Sequence, residues 1–301
     1  MVKKLVLLVV GIMMAALFAG CGNDAPKEQA SKKIQVVTSF NAMAEFTKAI
    51  GGDKVEVSTI IPDGVEPHDF ELKPENMKQL ATAQVFVYNG FGMEPWAKQA
   101  IEAAKNDKLV TVVATEGVEA IKNTDPEEIK EHGAEDPHAW LSLKDAKIEV
   151  KNIKDALVKA DPANKDYYEK NYTEYVGKLD AMIKKYEEQF AKAPHKNFVT
   201  GHAAFAYLCR DFGLEQNSVE DVFAEGEPNA AQLAKLIEYV KENNIKTIFA
   251  EEMASPEVSK ALAKEVGAKV ETIYTIESKE DDKTYLQRMD ENLTKILESL
   301  K

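Results

Sequence analysis

Gln35-Val36-Val37-Thr38-Ser39-Phe40, a helical run over Ala42–Ile50, and Val55-Glu56-Val57-Ser58-Thr59-Ile60-Ile61 follow one another within 27 residues. Strand, helix and strand at this spacing define a βαβ unit and a mainly parallel sheet. The alternation continues through strands at Val85–Asn89 and Leu109–Val113, with helices at Pro74–Ala81 and Glu94–Lys105. A second series places strands at Asn197–Thr200, Ser218–Phe223, Thr247–Ala250 and Val270–Tyr274. Its helices are expected at Ala203–Phe212, Asn229–Asn243, Pro256–Val266 and Lys283–Leu300. From Leu143 to Ala193 nothing reads as a strand, and Lys, Glu, Ala and Tyr recur at helical spacing. Asp161-Pro162 breaks that stretch, Asp as a cap and Pro at the first helical position. The helix after it is expected to run some thirty residues, about 45 Å. The fold class is therefore α/β: two lobes with mainly parallel sheets, linked by a long rigid helix that restrains hinge motion.

The composition excludes several classes. In 301 residues, 45% apolar side chains suffice for one large or two ordinary cores without covalent staples. The 51 acidic against 38 basic residues give a net charge of −13, which argues against a nucleic-acid role. Two cysteines form neither a disulfide framework nor a Cys-rich zinc module.

The one long apolar run is N-terminal. Lys3 and Lys4 precede an apolar stretch from Leu5 to Leu17, too short and poorly flanked for a membrane span, as in a secretion signal. Leu17-Phe18-Ala19-Gly20-Cys21 then resembles the bacterial lipoprotein box, in which Cys21 carries the lipid. The expected organisation is a signal peptide over 1–20, a flexible tether over 21–33, an N-terminal lobe over 34–142, a helical connector over 143–194 and a C-terminal lobe over 195–301. Cys209 then remains as a lone thiol, read as a small buried hydrophobe and not a metal contact.

Three of the five histidines lie beside expected strands or helices of the two lobes. His68 follows the strand ending at Ile61, His202 follows Asn197–Thr200, and His138 lies on the approach to the central helices. Ligands of open α/β sheets gather beyond the carboxyl ends of strands. Imidazole is the commonest metal ligand near neutral pH. Spacing alone does not bring three such distant residues together, and each taken singly reads equally as a structural loop histidine.

Longer blocks supply the rest. Pro62-Asp63-Gly64-Val65-Glu66-Pro67-His68-Asp69-Phe70, Asp136-Pro137-His138-Ala139-Trp140-Leu141, Gly201-His202-Ala203-Ala204-Phe205 and Glu227-Pro228-Asn229-Ala230-Ala231-Gln232-Leu233 occur in that order. With Asp161-Pro162-Ala163-Asn164 and the ending Tyr285–Leu293, they resemble the solute-binding proteins of zinc and manganese ABC transporters, the cluster A-I group. The resemblance implies an interlobe cleft with a buried metal site. It implies His68 and His138 from the first lobe, His202 from the second, and Glu277 as the best match to a carboxylate after the last strand. It also implies a membrane permease as partner, a monomer, no enzymatic activity, and an extracytoplasmic location at the cell membrane.

Manganese prefers carboxylate oxygen and imidazole suits zinc. Manganese-directed members of the group usually carry Glu where this chain has His202, so the expected cargo is Zn²⁺, with a manganese-binding member of the same group as the alternative. Glu66 is a candidate partner of His68, and Glu251 or Glu252 of His202, because metal-bound imidazoles usually donate their other N–H to an oxygen. The acidic stretch Asp125–Asp136 has one imidazole, His132, and reads as a solvated loop. Two other classes share some of these features. A zinc hydrolase also uses three imidazoles and a nearby Glu, but no His-Glu-x-x-His helix or Gly-x-Ser-x-Gly elbow occurs. A surface adhesin is compatible with the lipid anchor and has no repeat to support it. Substituting His202→Glu is expected to weaken zinc binding and relatively favour manganese; an unchanged preference in metal competition removes His202 from the ligand set.

Overall fold

The computed structural model describes residues 33–123, 129–130, 133–224, 229–251 and 256–301. The expected signal peptide, Cys21 and nearly all of the tether, and also His132 and Glu252, lie outside the described residues.

The first sheet contains β1 (Ile34–Thr38), β2 (Val55–Thr59), β3 (Val85–Tyr88) and β4 (Val110–Val113) in the order β2-β1-β3-β4, every neighbour parallel. Val36 and Val37 of β1 and Val85, Phe86 and Val87 of β3 are buried, as central strands covered on both faces require. Helix α1 (Asn41–Gly51) returns from β1 to β2 and buries Ala42, Met43, Phe46 and Ile50 on one stripe. Helices α2 (Pro74–Thr82) and α3 (Ala97–Ala104) make the other crossovers.

After α4 (Leu143–Ala160) and α5 (Lys165–Lys192), the second sheet repeats the pattern. Its strands are β5 (Asn197–Thr200), β6 (Glu215–Ser218), β7 (Thr247–Glu251) and β8 (Lys269–Ile273), ordered β6-β5-β7-β8 and all parallel. Helices α6 (Ala206–Phe212), α7 (Ala230–Glu242), α8 (Pro256–Val266) and α9 (Tyr285–Ser299) complete it. In each sheet the winding reverses at the central pair, so each has a switch point beyond its carboxyl ends, where such folds bind ligands.

Helix α5 has 28 residues and spans about 42 Å. Tyr168, Tyr175, Leu179, Ile183, Tyr186 and Phe190 form its buried stripe. Near its start Asn171 Nδ2 donates to the Ile50 carbonyl and Tyr175 meets Phe46 edge-on. Near its end Tyr186 donates to Asp290 and Phe190 packs on Phe212. One hydrophobic core runs from β1 and β3 through α4 and α5 to Phe198, Phe249 and Ile273 of the second sheet. A separate, smaller core of Val199, Leu236, Val240, Ile248 and Leu262 fills the other face of that sheet. Among the described residues, no helix is long and apolar enough to cross a membrane.

Three expectations are corrected. The second strand of the second sheet is Glu215–Ser218, not Ser218–Phe223. It is an edge strand, polar and half-exposed, while Val219 lies beyond it and donates to the Thr200 and Gly201 carbonyls. Helix α6 starts at Ala206 rather than Ala203, because the preceding amides pair elsewhere: His202 N–H with Glu251, Ala203 with the Asp221 carbonyl and Phe205 with the Gln216 side chain. Asp161 caps no backbone amide; its carboxylate accepts from Tyr168 Oη (2.8 Å) and Asn164 Nδ2 (2.6 Å).

Glu149, in the middle of α4, is fully buried, and neither carboxyl oxygen has a hydrogen-bond partner among the described residues. Burial, reinforced by Asp145 and Glu94, pushes its carboxyl well above the ordinary carboxylate range. The folded protein therefore keeps a proton that the unfolded chain releases above about pH 4.5, and stability falls as pH rises from there toward the folded value. Glu149→Gln should raise the melting temperature of the metal-free protein by roughly 2–8 °C at pH 8 and by less at pH 5. An equal effect at both values would mean that Glu149 is not held protonated.

Candidate metal centre

His68, His138, His202 and Glu277 are all buried, and one ligand atom from each lies within 4.8 Å of the others. Topology explains the convergence. His68 follows β2, His138 lies between β4 and α4, His202 follows β5, and Glu277 follows β8. The carboxyl ends of both sheets thus supply the four side chains.

Glu277 Oε1 is the hub. It lies 3.3 Å from His138 Nε2, 3.5 Å from His68 Nε2 and 3.9 Å from His202 Nε2. The Nε2 atoms of His138 and His202 are 3.4 Å apart. Donors at 2.0–2.1 Å around tetrahedral zinc are separated by about 3.3 Å, so two of these separations already match and the others need modest contraction.

Each donor is held from behind. Asp136 Oδ1 accepts both the main-chain N–H and Nδ1 of His138, each at 2.9 Å, which leaves Nε2 to face Glu277. Asp136 is itself fixed, its carbonyl accepting from Tyr207 Oη at 2.6 Å. Trp140 packs 5.1 Å from the His138 ring, and Phe223 meets His68 edge-on at 5.4 Å. His202 donates its main-chain N–H to Glu251 Oε1, whose oxygen also lies 3.9 Å from Nδ1. Gly201 makes that approach possible: a methyl there would sit 1.8 Å from Glu251 Oε2. Glu277 Oε2 accepts from Thr275 Oγ1 at 2.7 Å.

Protonation follows from these contacts. Burial opposes the charge on His138, but the bond to Asp136 and the nearness of Glu277 outweigh it and raise the imidazole to about 9. Burial dominates at His202 and, with the neighbouring imidazoles and against Glu277, takes it down to about 3. Burial alone would protonate Glu277; the surrounding imidazoles instead hold it well below the usual carboxylate range. Glu66 and Glu251 are each pushed up to about 8, mainly by burial. The arrangement offers an ionised carboxylate, two further imidazoles and one exchangeable proton on His138, a donor set that accepts a divalent cation.

Of the candidate residues behind the donors, Glu66 Oε1 accepts the His68 main-chain N–H at 3.3 Å and Glu251 serves His202. Cys209 is buried in α6 and is not part of the cluster. Asp281 is engaged with Arg288 and Lys283, and Asp282 is exposed beside Lys279, so neither competes with Glu277. His195 is exposed; its backbone donates to the Leu300 carbonyl. Sequence reasoning missed Asp136, grouping it with a solvated acidic loop although it is buried. Its place two residues before His138, with only Pro137 between, was the available signal.

Fold and site together define a two-lobe, metal-binding protein of the solute-binding class. The chain belongs to the ZnuA family, the periplasmic component A of zinc-uptake complexes, which it matches over residues 36–299. It is 42% identical over 299 residues to the high-affinity zinc uptake system protein ZnuA of Bacillus subtilis, covering 94% of each chain. It is also 42% identical over 272 residues to a putative metal-binding protein of Treponema pallidum, covering 88% of this chain and 86% of that one. The laminin-binding protein Lmb of Streptococcus agalactiae, described as bifunctional with adhesin and metal-transporting activity, superposes with a TM-score of 0.81 at 33% identity. That match covers 89% of this chain and all of Lmb.

Because a metal must displace the proton held on His138, loading should release protons below about pH 9, and affinity should fall toward acid by up to about tenfold per pH unit per proton. Titration calorimetry in two buffers of different ionisation enthalpy counts those protons. An affinity that stays flat between about pH 7.5 and pH 5.5 would exclude His138 as a ligand. Asp136→Asn should cost about 10–100-fold in affinity through the lost orientation of His138.

Proposed function

We propose that this chain is the extracytoplasmic carrier that captures Zn²⁺ with high affinity and delivers it to the membrane permease of an ABC transporter. The observation that carries this reading is the buried convergence of three imidazoles and one carboxylate within 4.8 Å. His68, His138, His202 and Glu277 act as ligands, with Asp136, Glu66 and Glu251 holding them in place. Three nitrogen donors favour zinc over manganese, both by donor preference and by the general affinity order of divalent metals. The charges also suit a divalent ion, because the carboxylates of Glu277 and Asp136 balance it within a buried site. A saturated shell of protein donors is what a carrier needs; a zinc hydrolase keeps one position for water and substrate.

In this reading residues 1–20 are the signal peptide, and Cys21 carries the lipid that anchors the chain to the cell membrane. Residues 21–33 are the tether, 34–142 and 195–301 the two lobes, and 143–194 their connector, in a protein that works as a monomer. The likeness to Lmb supports a second activity as a surface adhesin, with the same metal site beneath it.

Zinc and manganese titrated in competition against metal-stripped protein beginning after Cys21, with His202→Ala alongside, tests the assignment. One tight zinc equivalent, strongly weakened in the variant, is expected. Tighter manganese binding would overturn the metal, and the lack of any tight site would overturn the carrier.

A further inference from the structure

Helix α1 lacks a side-chain cap: Phe40 stands at the N-cap position, where Ser, Thr, Asp or Asn usually serves. Its first amide is satisfied from the far end of the chain. Asn41 N–H donates to the carbonyl of Glu277 at 3.2 Å. The side-chain amide of the same residue donates to the carbonyls on either side, Ile276 at 3.2 Å and Ser278 at 3.1 Å. One buried asparagine thus grips three consecutive carbonyls of the segment that carries the carboxylate donor.

The gripped segment holds an unfavourable conformation. Ile276 has φ +63°, left-handed backbone that a β-branched residue rarely adopts. Such a conformation persists only where its surroundings over-determine it. Besides Asn41, Trp140 Nε1 donates to the Thr275 carbonyl at 2.7 Å and Gly64 N–H donates to Ser278 Oγ at 2.7 Å. Every one of these donors lies between residues 41 and 140, in the first half of the chain.

His202 is held by different neighbours. Its carbonyl accepts from Thr200 Oγ1 and Gln216 Nε2, and its amide donates to Glu251. All three belong to the second half. Through its main chain, therefore, Glu277 stands with His68 and His138 although it follows the last strand of the second sheet, and Thr275 Oγ1 of the same gripped segment holds its carboxylate.

We propose that Asn41 is a positioning residue of the metal centre: it clamps Ile276–Ser278 so that His68, His138 and Glu277 form one pre-assembled three-donor unit, which His202 closes. The inference rests on the ligand assignment above. Asn41 does not touch the ion; it acts through the Glu277 carboxylate. When His202 withdraws, the ion remains on three donors fixed to the first lobe, and it leaves from there.

The test is a double-mutant cycle on zinc affinity and dissociation rate, in the metal-stripped chain beginning after Cys21. Asn41→Ala should weaken zinc binding about 10–100-fold, chiefly by faster dissociation. It should also change the visible spectrum of the cobalt-substituted protein, which reports ligand geometry. On a Glu277→Ala background the same substitution should cost almost nothing, whereas on a His202→Ala background it should cost its full amount. Asn41→Ser, which like Asn41→Ala keeps the main-chain bond and loses the side-chain amide but leaves a hydroxyl in its place, repeats the cycle if Asn41→Ala folds poorly. A lowered melting temperature with unchanged zinc dissociation and cobalt spectrum would make Asn41 a mere helix cap and overturn the proposal. So would an equal loss with and without Glu277. If Glu277→Ala itself leaves zinc affinity intact, the ligand assignment fails instead.

Discussion

The carboxylate of Glu277, nearly inaccessible to solvent, is the group around which the rest of the centre is arranged. An isolated buried carboxylate would take up a proton, because the low-dielectric interior disfavours charge. Here three imidazole nitrogens within 3.9 Å hold it ionised. One of them, on His138, keeps its positive charge through neutral pH, because Asp136 and Glu277 outweigh burial and raise the imidazole to about 9. In the metal-free protein that proton stands where part of the cation's charge belongs. Loading exchanges a monovalent occupant for a divalent one, and the two carboxylates Glu277 and Asp136 then balance the ion.

The scaffold delivers these groups by repetition. Two sheets of identical strand order direct their carboxyl ends to one place, and loops after β2, β4, β5 and β8 contribute one donor each. What joins the halves is not only the helix α5. A single hydrophobic core extends from β1 and β3 to Phe249 and Ile273 of the second sheet. Parting the lobes as rigid bodies would expose part of that core, at about 25 cal/mol for each Å² of apolar surface. The separate cluster around Leu236 and Ile248 fills the other face of the second sheet, while Phe198 before His202 and Ala204 and Phe205 after it belong to the large core.

Much of this architecture was legible in the sequence, for physical reasons that also explain the exceptions. Central strands such as Val85–Tyr88 are buried on both faces and announce themselves as apolar runs. The edge strand Glu215–Ser218 is polar because one flank has no partner strand among the described residues, so periodicity passed over it in favour of the more apolar Ser218–Phe223. Helix α5 was readable because its stripe from Tyr168 to Phe190 keeps helical spacing throughout. The start of α6 was not, since His202, Ala203 and Phe205 spend their amides on Glu251, Asp221 and Gln216. At the site, composition could point to histidines after strands but not join them; only the resemblance did so. Asp136 escaped because an acid beside other acids reads as solvated, and nothing local reveals that it is buried and hydrogen-bonded at its carbonyl by Tyr207, 71 residues away in sequence. The clamp by Asn41 on Ile276–Ser278 is a contact between opposite ends of the chain, beyond the reach of any local pattern.

A carrier faces a requirement that an enzyme's structural metal does not: the affinity that captures the ion must be removable. A shell of four donors fixed to one rigid body would hold zinc tightly and release it slowly, because all of its bonds would have to break against the same scaffold. Division of the donors changes this. In the proposed donor set, His68, His138 and the main chain around Glu277 are hydrogen-bonded within the first half, the last through the strained Ile276, whereas the main chain of His202 is hydrogen-bonded within the second. The large continuous core makes wholesale opening costly and takes in Ala204 and Phe205 beside His202, so under the proposed ligand assignment release turns on how far the His202 segment moves against that core.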